Sequence, residues 1–292
     1  MNEQDWLAER FEANRAQLRA VAYRMLGSLS EADDAVQEAW LRLSRSDATR
    51  IENLSAWLTT VVGRVCLDML RSRKARREEP LAERLPDPLV DRVDGIDPEH
   101  EALLADSVGL ALLVVLETLS PPERLAFVLH DIFGVPFDEI GPIVDRSPEA
   151  ARQLASRARR RVRTEPTVPD ADLETQWEVV DAFLAAWREG DFDRLVAVLD
   201  PDVVVRADFG PVRGLQETRG ATAVARQALG YAKLGLDIRP VLINGVPGMV
   251  AFRHGQPFSI GTGTVRNGKI VELDFLNDPE RLRRVDLTIL DD

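Results

Sequence analysis

The first quarter of the chain shows helical periodicity and no strand pattern. Between Glu31 and Ser44, apolar residues recur on one stripe at helical spacing. From Ser55, a good N-cap residue, apolar pairs recur every four residues as far as Leu70 and predict an amphipathic helix of about four turns. Cys66 lies on that second stripe and is predicted to be a small buried hydrophobe. The buried stripe predicted for the first of these helices consists of Ala35, Val36, Ala39, Trp40 and Leu43.

The middle of the chain contains a linker followed by several short predicted helices. Residues 79–100 combine several prolines with many carboxylates, which predicts an extended and mobile acidic linker. A helical pattern follows over 101–119. The sequence Ser120-Pro-Pro-Glu123 is a capping box with proline at the first helical position, so a new helix should start there and run to about Ile132. Helical residues resume near Phe137, and Ser147-Pro148 should start one more helix.

A short helix, a tight turn and an arginine-rich helix together fit a helix-turn-helix, whose second helix enters the major groove of DNA. An ordinary helical hairpin fits the apolar periodicity equally well. The outward face of the last helix favours DNA, because Arg and Gln can make paired hydrogen bonds to base edges. Pro142, inside the short helix, is expected to bend it. The residues predicted to face outward are Glu149, Arg152, Gln153, Ser156 and Arg157, with Arg159, Arg160 and Arg163 placed for phosphates.

The distribution of charge along the chain is more informative than its total. The chain of 292 residues carries 49 acidic and 37 basic side chains, a formal charge of -12, which by itself argues against a nucleic-acid partner. Residues 150–163, however, carry six arginines and no acid, and residues 71–77 carry five basic side chains. A solvated helical face is the usual meaning of such runs. Two of them at helix ends, separated by an acidic stretch, favour two DNA-binding surfaces.

The last 120 residues have a different character. Residues 165–172 read as a second linker. Two amphipathic helices follow, over Leu173–Gly190 and Phe192–Leu199. Segments rich in β-branched and aromatic residues predict strands, and the Asn-Gly pairs at 244–245 and 267–268 predict type I′ hairpin turns. The pattern predicts helices packed on a curved antiparallel sheet. The predicted strands span 203–208, 236–243, 249–253, 258–265 and 270–275.

Composition excludes several other classes of protein. At roughly 150 residues per domain the length suggests two domains. One Cys and three scattered His provide neither an internal disulfide nor a metal-ligand cluster, so we expect no metal and no cofactor, and the reducing cytosol fits best. Met1–Arg10 is acidic, unlike a secretory signal, and no apolar stretch approaches the ~20 residues of a membrane span, so no membrane partner is expected.

Three long motifs resemble the extracytoplasmic-function sigma factors of bacterial RNA polymerase. They are DDAVQEAWLRL (33–43), IENLSAWLTTVVGRVCLDMLRSRKARR (51–77) and the stretch from LSPPERLAF (119–127) to ASRARRRVR (155–163). Residues 173–283 are similar to the SnoaL-like fold. The resemblance implies a multidomain fold, with two all-α sigma domains followed by an α+β cone with a curved antiparallel sheet. The implied divisions are region 2 at 1–78, the acidic linker at 79–100, region 4 at 101–164, a linker at 165–172 and the SnoaL-like domain at 173–292.

The resemblance also implies binding roles, with core RNA polymerase and promoter DNA as partners. The polymerase contacts would be the clamp helices of the largest subunit and the flap, and a separate anti-sigma factor is not required. The residues implied in clamp binding are Asp34, Gln37, Glu38 and Leu41, which lie off the buried stripe of their helix. Those implied in minus-ten DNA binding are Asn53, Trp57, Thr60, Arg64, Arg71, Arg73 and Lys74, although Trp57 fits plain core packing equally well. Those implied in minus-thirty-five DNA binding are Glu149, Arg152, Gln153, Ser156, Arg157 and Arg160.

Two further motifs resemble signatures of the sigma subgroup with this C-terminal extension: LPDP in the acidic linker and NDPERL at 277–282. In that subgroup the extension is a fused regulator, and we expect the linker to dock near NDPERL. Asp208-Phe209-Gly210 stands where relatives often have a run of glycines, which puts the contact of that loop in question. The residues implied in this intramolecular regulation are Leu85, Pro86, Asp87, Pro88, Asn277, Asp278 and Pro279.

The predicted function is therefore a sigma factor with activity set in cis, and not an enzyme. One alternative is a helix-turn-helix regulator with a ligand-sensing domain, which would bind duplex DNA as a symmetric dimer without polymerase. Another is a SnoaL-type isomerase or cyclase fused to a DNA-binding module, with Asp208, His254 or Asp274 as the candidate general base. The cone leaves room for a small ligand of unknown identity.

Overall fold

The computed structural model describes residues 3–46, 51, 53–75, 84–95, 100, 110–164 and 172–290. Internal contacts divide the chain into two compact units. The N-terminal unit is helical throughout its described residues. The C-terminal unit contains the sheet, and residues 84–95, which we call the docking segment, belong to it rather than to the helices that precede them.

The N-terminal unit begins with three helices: α1 (Glu3–Leu26), α2 (Leu29–Leu43) and α3 (Leu54–Ala75). In α2 the predicted stripe is buried except for Trp40, which is half-buried and packs on Phe11 with 5.1 Å between ring centroids. Ser55 does not cap α3, contrary to the sequence prediction. Asn53 does so, because its Oδ1 accepts a hydrogen bond from the Ala56 amide (3.1 Å). Cys66 is fully buried, and burial raises the pKa of its thiol.

Four further helices follow along the chain: α4 (Leu110–Thr118), α5 (Pro121–Phe127), α6 (Phe137–Ile143) and α7 (Pro148–Thr164). The N-terminal unit contains α5, α6, α7 and the end of α4, whereas residues 110–114 of α4 are grouped with the C-terminal unit. The predicted capping box starts α5, with the Glu123 carboxylate accepting hydrogen bonds from the Ser120 amide (3.3 Å) and hydroxyl (2.6 Å). A π-helical turn, Val128–Ile132, continues α5. Ser147 Oγ accepts from the Ala150 amide (3.2 Å), so it caps α7 as predicted.

The C-terminal unit continues from the docking segment to helices, strands and a short final helix. Helix α8 ends at Gly190, whose φ of +73° closes the last turn in the left-handed conformation that glycine favours. The elements are β1 (Val90–Asp91), α8 (Leu173–Glu189), α9 (Phe192–Val198), β2 (Leu199–Asp208), β3 (Leu215–Arg219), α10 (Ala221–Ala232), β4 (Asp237–Ile243), β5 (Val246–Arg253), β6 (Gln256–Arg266), β7 (Lys269–Leu276) and α11 (Pro279–Leu282).

These strands form one sheet in the order β1-β4-β5-β6-β7-β2-β3. The sequence predicted an antiparallel sheet, but β2 pairs with β7 in parallel, since α8 and α9 return the chain to the sheet beside its last strand. The predicted Asn-Gly turns join β4 to β5 and β6 to β7, with positive φ at both residues of each turn. His254-Gly255 forms a third turn of this kind between β5 and β6, which the sequence analysis did not identify.

The two faces of the sheet carry separate apolar clusters, because successive side chains of a strand point to opposite faces. One face packs against α8, α9 and α10 through residues such as Phe183, Leu195 and Leu273. The other face carries Val241, Val250 and the segment after α11, and Val90 of the docking segment joins that cluster.

The docking segment differs from the mobile linker that the sequence predicts for residues 79–100. It is extended as expected, but β1 pairs antiparallel with β4, matching Val90 with Ile243 and Asp91 with Leu242. Leu89 and Asn244 exchange two hydrogen bonds next to this pair, from the Leu89 amide to Asn244 Oδ1 (3.2 Å) and from the Asn244 amide to the Leu89 carbonyl (2.8 Å). The docking segment therefore contributes a two-residue edge strand to the C-terminal sheet.

The packing of Phe275 on Gly261 gives a stability prediction. These two residues face each other across β6 and β7, and a Cβ on Gly261 would lie 2.3 Å from ring carbons of Phe275. Gly261→Ala should therefore lower the free energy of unfolding by about 1–3 kcal/mol, measured by urea denaturation.

Gly230→Ala is the matched control, because Gly230 is exposed on α10 and a Cβ there meets no atom within 4 Å. It should raise the free energy of unfolding by up to about 1 kcal/mol. Equal effects of the two substitutions would contradict this account of the sheet.

Candidate functional site

The solvent-facing side of α2 carries the four residues implied in polymerase binding. Asp34, Gln37 and Leu41 are exposed, while Glu38 is half-buried and its carboxylate accepts from Arg42 Nε (2.8 Å). Leu41 is 38% exposed. The helix therefore presents acid, amide and one apolar side chain together to solvent.

The residues implied in minus-ten binding follow α3, but they are not equally available. Asn53 is exposed and its side chain caps the helix, and Trp57 and Thr60 are half-buried. Arg71 is exposed near Asp68, with 3.9 Å between the charged groups, whereas Arg73 forms an ion pair with Glu31 of α2. Lys74 lies at the end of α3, and its side chain is outside the described residues.

Helix α7 presents a uniformly solvent-facing surface. The six residues implied in minus-thirty-five binding are all exposed: Glu149, Arg152, Gln153, Ser156, Arg157 and Arg160. On the opposite side, Ala151, Ala155 and Ala158 are fully buried, and Leu154 and Val162 are half-buried. The helix thus has one packed alanine-rich face and one polar face suited to a groove.

The turn between α6 and α7 explains the glycine before Pro142. The Arg146 amide donates to the Gly141 carbonyl (2.9 Å), and a Cβ on Gly141 would lie 2.8 Å from the Arg146 carbonyl oxygen. Only glycine permits this close approach. Pro142 remains inside α6, where it removes one helical hydrogen bond, and the short helix tolerates it.

Two ion pairs hold α7 against the preceding helical segment. Arg157 Nε contacts Glu123 Oε1 and Arg159 Nε contacts Asp131 Oδ1, each at 2.8 Å. Partial burial opposes ionisation of Glu123, but hydrogen bonds from Ser120 and Arg157 outweigh it and lower the pKa of this carboxyl. Arg157 is half exposed, so it can hold Glu123 and still face a ligand.

Within the N-terminal unit, α3 packs against α5 and α6, and α1 packs against the π-helical turn that follows α5. Arg124 is 3% exposed and donates from Nη1 to the Met25 carbonyl at the end of α1 (2.8 Å), while its guanidinium also pairs with Glu117. Arg64 Nη2 donates to the Pro142 carbonyl (3.2 Å). A Cβ on Gly63 would lie 3.3 Å from Leu125. One implied minus-ten residue, Arg64, is therefore engaged by the helix-turn-helix, a contact that the sequence did not predict.

The C-terminal unit has a buried polar cluster centred on Arg281. This guanidinium donates to Asp208 Oδ2 (2.7 Å), to Asp87 Oδ1 (2.7 Å) and to the Leu85 carbonyl (2.6 Å). Asp208 is fully buried, and its Oδ2 also accepts from the Leu85 amide (2.9 Å). We call Arg281, Asp208, Asp87 and Leu85 the Arg281 cluster. It joins the docking segment to β2 and α11.

The remaining implied regulatory residues surround this cluster. Pro86 and Pro88 are buried with the docking segment, and Pro279 is exposed at the first position of α11. Asp278 is 3% exposed and caps α11 through the Glu280 amide (2.9 Å). The Asn277 amide donates to the Asp208 carbonyl (2.7 Å). Arg281 lies within the NDPERL motif, although the sequence did not single it out as a site residue.

The loop after Asp208 makes a close contact despite its departure from a glycine run. Gly210 has a φ of +75°, and a Cβ on it would lie 2.6 Å from the Asp278 carboxylate. The Gly210 amide also donates to Asp208 Oδ1 (2.9 Å). Glycine is therefore needed at 210, while Asp208 supplies a carboxylate to the Arg281 cluster.

The three candidate general bases lie away from the apolar cavity of the C-terminal unit. Asp208 belongs to the Arg281 cluster, and His254 is exposed in a hairpin turn with a φ of +52°. Asp274 is buried beside Arg206, with 3.0 Å between Oδ1 and Nη1; burial raises the pKa of this carboxyl and the guanidinium opposes the rise. Its neighbours Leu273 and Phe275 line the cavity, so Asp274 points to the opposite face of the sheet.

Two further features are absent from the described residues. No helix among them is long and apolar enough to cross a membrane. They also contain no group of three or more His, Cys, Asp or Glu side chains arranged to hold a metal ion.

Comparison with known proteins finds three family models along the chain. Sigma-70 region 2 matches residues 10–76, Sigma-70 region 4 matches residues 109–162, and a SnoaL-like domain matches residues 180–273. The chain is 40% identical to the ECF RNA polymerase sigma factor SigJ of Mycobacterium tuberculosis, over 93% of this chain and 91% of that protein. It is 33% identical to the probable ECF RNA polymerase sigma factor SigI of the same species, over 97% of each.

A solved structure agrees with these matches. The crystal structure of the Mycobacterium tuberculosis extracytoplasmic function sigma factor SigJ superimposes with a TM-score of 0.75 at 36% identity, covering 96% of this chain and 99% of that one. The similarity therefore extends over the helical domains and the SnoaL-like domain together.

The Arg281 cluster gives a prediction for stability. Arg281→Met should lower the free energy of unfolding by about 3 kcal/mol, because it leaves the Asp208 carboxylate buried without its cation. Adding Asp208→Asn to this variant should recover about 1 kcal/mol or more, since the uncompensated charge is removed.

Urea denaturation of the four proteins of this cycle measures the coupling. Arg283→Met, an exposed neighbour on the same segment, is the control and should change the free energy of unfolding by less than about 0.5 kcal/mol. Additive effects of the Arg281 and Asp208 substitutions would show that the two side chains do not stabilise each other.

Proposed function

The chain belongs to the extracytoplasmic-function family of RNA polymerase sigma factors, and we propose that its exposed helical faces bind core polymerase and promoter DNA while its SnoaL-like domain restrains it through the Arg281 cluster. As a sigma factor, it directs core polymerase to promoters and initiates transcription. The observation that carries the proposed regulation is the docking of residues 84–95, between the two sigma regions in sequence, onto the C-terminal sheet.

Helix α2 is the proposed surface for the polymerase clamp helices. Its exposed residues Asp34, Gln37 and Leu41 stand beside the half-buried Glu38, so acidic groups can meet basic partners while Leu41 supplies apolar contact. The acids are on a rigid scaffold because the opposite stripe is packed in the core. The flap contact is proposed for region 4, with no individual residues assigned.

The end of α3 is the proposed surface for the melted minus-ten element. Trp57 is half-buried, which leaves part of its ring for stacking against an unpaired base. Arg71 is exposed and suits a phosphate. Arg64 and Arg73 are engaged with Pro142 and Glu31, so we propose that they exchange these contacts for DNA when the N-terminal unit opens on polymerase.

Helix α7 is the proposed reader of the minus-thirty-five element. Arg152 and Gln153 are exposed near its N-terminus, where a recognition helix meets base edges. Arg160 and Arg163, further along the helix, are exposed and placed for phosphates. The ion pairs of Arg157 and Arg159 with acids of the preceding segment fix the orientation of this helix.

We further propose that the SnoaL-like domain acts as a regulator and not as a catalyst. Its candidate general bases either hold the docking segment, face the other side of the sheet or lie in an exposed turn. The docking segment connects region 2 to region 4 along the chain, so fixing it to the sheet limits how these regions can rearrange. Polymerase must then supply the free energy that releases or accommodates the segment.

Promoter recognition gives a prediction for α7. In holoenzyme reconstituted with core polymerase, Arg152→Ala or Gln153→Ala should reduce discrimination between the preferred and an altered minus-thirty-five element by about 5- to 100-fold, because each removes a contact to a base edge. Binding and transcription on a set of promoter variants measure it.

Arg163→Ala is the matched control on the same helix. It should weaken binding to all the promoters about equally, as expected for a phosphate contact. If all three variants lose affinity uniformly, α7 does not read sequence. If the protein initiates no specific transcription with core polymerase, the family assignment gives the wrong function.

The restraint gives a prediction for transcription. Arg281→Met should raise transcription at limiting sigma factor by about tenfold or more, because the cost of releasing the docking segment no longer opposes holoenzyme formation. Arg283→Met should leave output unchanged, and truncation after Arg163 should resemble Arg281→Met. Unchanged output in the Arg281 variant and the truncation would contradict cis regulation, and lower output would contradict a restraint.

A further inference from the structure

A cavity of about 80 Å³ lies between the sheet and helices α8 and α10 of the C-terminal unit. Fully or largely buried side chains form its floor, including Leu184, Val205, Val224 and Leu273. The cavity opens on the side where the lining side chains are only half-buried. These rim residues are Gln227, Tyr231, Leu236, Met249, Phe258 and Asn277. A smaller cavity of about 30 Å³ adjoins it and shares Phe183, Leu273 and Phe275.

The chemistry of the lining is specific. Among the described residues, no carboxylate, guanidinium, ammonium or imidazole group lines the cavity, and aromatic rings contribute from both helices and the sheet. Tyr231 and Phe258 meet edge to face across the rim, with 6.5 Å between ring centroids. The Trp187 indole nitrogen donates to the Ala228 carbonyl (2.9 Å), so it is already satisfied. An uncharged, largely apolar molecule matches these walls, and a charged one would lose its hydration without compensation.

The polar groups of the lining are few and lie at defined places. Ser259 is 5% exposed on the floor, and Gln227 and Asn277 stand on the rim. This is the pattern of a small-molecule site: apolar walls with a few polar groups that orient the ligand. An apolar cavity of about 150 Å³ in another protein holds benzene. The present cavity therefore accepts one ring only when a rim side chain moves, and the flexible Met249 is placed to do so.

The cavity and the Arg281 cluster lie on adjacent residues of the same two chain segments. Ala207 lines the cavity and Asp208, the next residue of β2, holds Arg281. Asn277 lines the cavity and its amide donates to the Asp208 carbonyl (2.7 Å). A molecule that contacts Ala207 and Asn277 therefore favours the backbone arrangement that positions Asp208 for the docking segment.

We propose that this cavity binds a small uncharged aromatic molecule with one hydrogen-bonding group, and that occupancy strengthens the docking of residues 84–95. The coupling rests on the proposed cis regulation, whereas the binding site does not. Because the cavity wall includes the residues that hold Asp208, the ligand binds the docked state more tightly than the released one. It thereby shifts the equilibrium towards the docked state.

The test uses phenol as the probe and the full chain without polymerase. Phenol should bind saturably in isothermal titration calorimetry and raise the thermal unfolding midpoint, with methyl NMR shifts centred on Leu184, Met249 and Leu273. Benzoate, which has a similar ring but carries a charge, should not bind. Absence of saturable phenol binding, equal binding of benzoate, or shifts centred elsewhere would each overturn the site.

A pair of substitutions on α10 locates the site independently. Ala228→Leu adds side-chain volume at the cavity wall and should abolish phenol binding, whereas Ala223→Leu on the exposed side of the same helix should leave it intact. If Ala228→Leu fails to fold, the NMR shifts of the unmodified chain decide the question. Equal phenol affinity of two folded variants would place the ligand elsewhere.

Amide hydrogen exchange of Leu85 and Leu89 tests the coupling. At a phenol concentration about tenfold above its Kd, exchange through release of the docking segment should slow by about tenfold. Phenol binding with unchanged exchange would overturn the coupling and leave the site. Neither result depends on transcription, so a failure here is distinguishable from a failure of the proposed restraint by the SnoaL-like domain.

Discussion

One largely buried cation, Arg281, determines how the C-terminal half of this sigma factor holds the chain between its two sigma regions. Its guanidinium joins a carboxylate of β2, a carboxylate of the docking segment and a backbone carbonyl of that segment, across separations of 73 to 196 residues in sequence. Asp208 is fully buried, and Arg281 supplies the opposite charge beside its carboxylate. The neighbouring residues of the docking segment are also held: Leu85 and Leu89 are buried, and β1 pairs with β4.

Both units follow the same rule: polar groups are either exposed to solvent or, where they are buried, paired with a partner. In α2 and α7 one face is packed and the other carries the polar residues assigned to polymerase and DNA. In the N-terminal unit, Arg124 of α5 is buried, where it pairs with Glu117 of α4 and donates to the Met25 carbonyl of α1. Arg124 and the largely buried Arg281 thus connect segments distant in sequence, one in each unit, while Arg152, Arg160 and Arg163 of α7 are exposed.

The features predicted correctly from the sequence are those that depend on residues close together in the chain. The stripe of α2, the capping box at Ser120 and the Asn-Gly turns each depend on residues within one turn or hairpin, and the structure confirms them. β3 was not identified, because a polar, exposed edge strand shows no alternation. The N-cap at Asn53 and helix α10 were also not identified. β1, the parallel β2–β7 pair and the partners of Arg281 depend on contacts between distant segments, which periodicity does not contain.

The proposed restraint requires the docking segment to be held on the sheet in the free chain and to change state when polymerase binds. Amide hydrogen exchange at Leu85 and Leu89 measures this directly, since their amides donate to Asp208 and Asn244. Slow exchange in the free chain, and exchange at least about tenfold faster in holoenzyme, is the predicted result. Fast exchange in the free chain, or equally slow exchange in both states, would contradict the account.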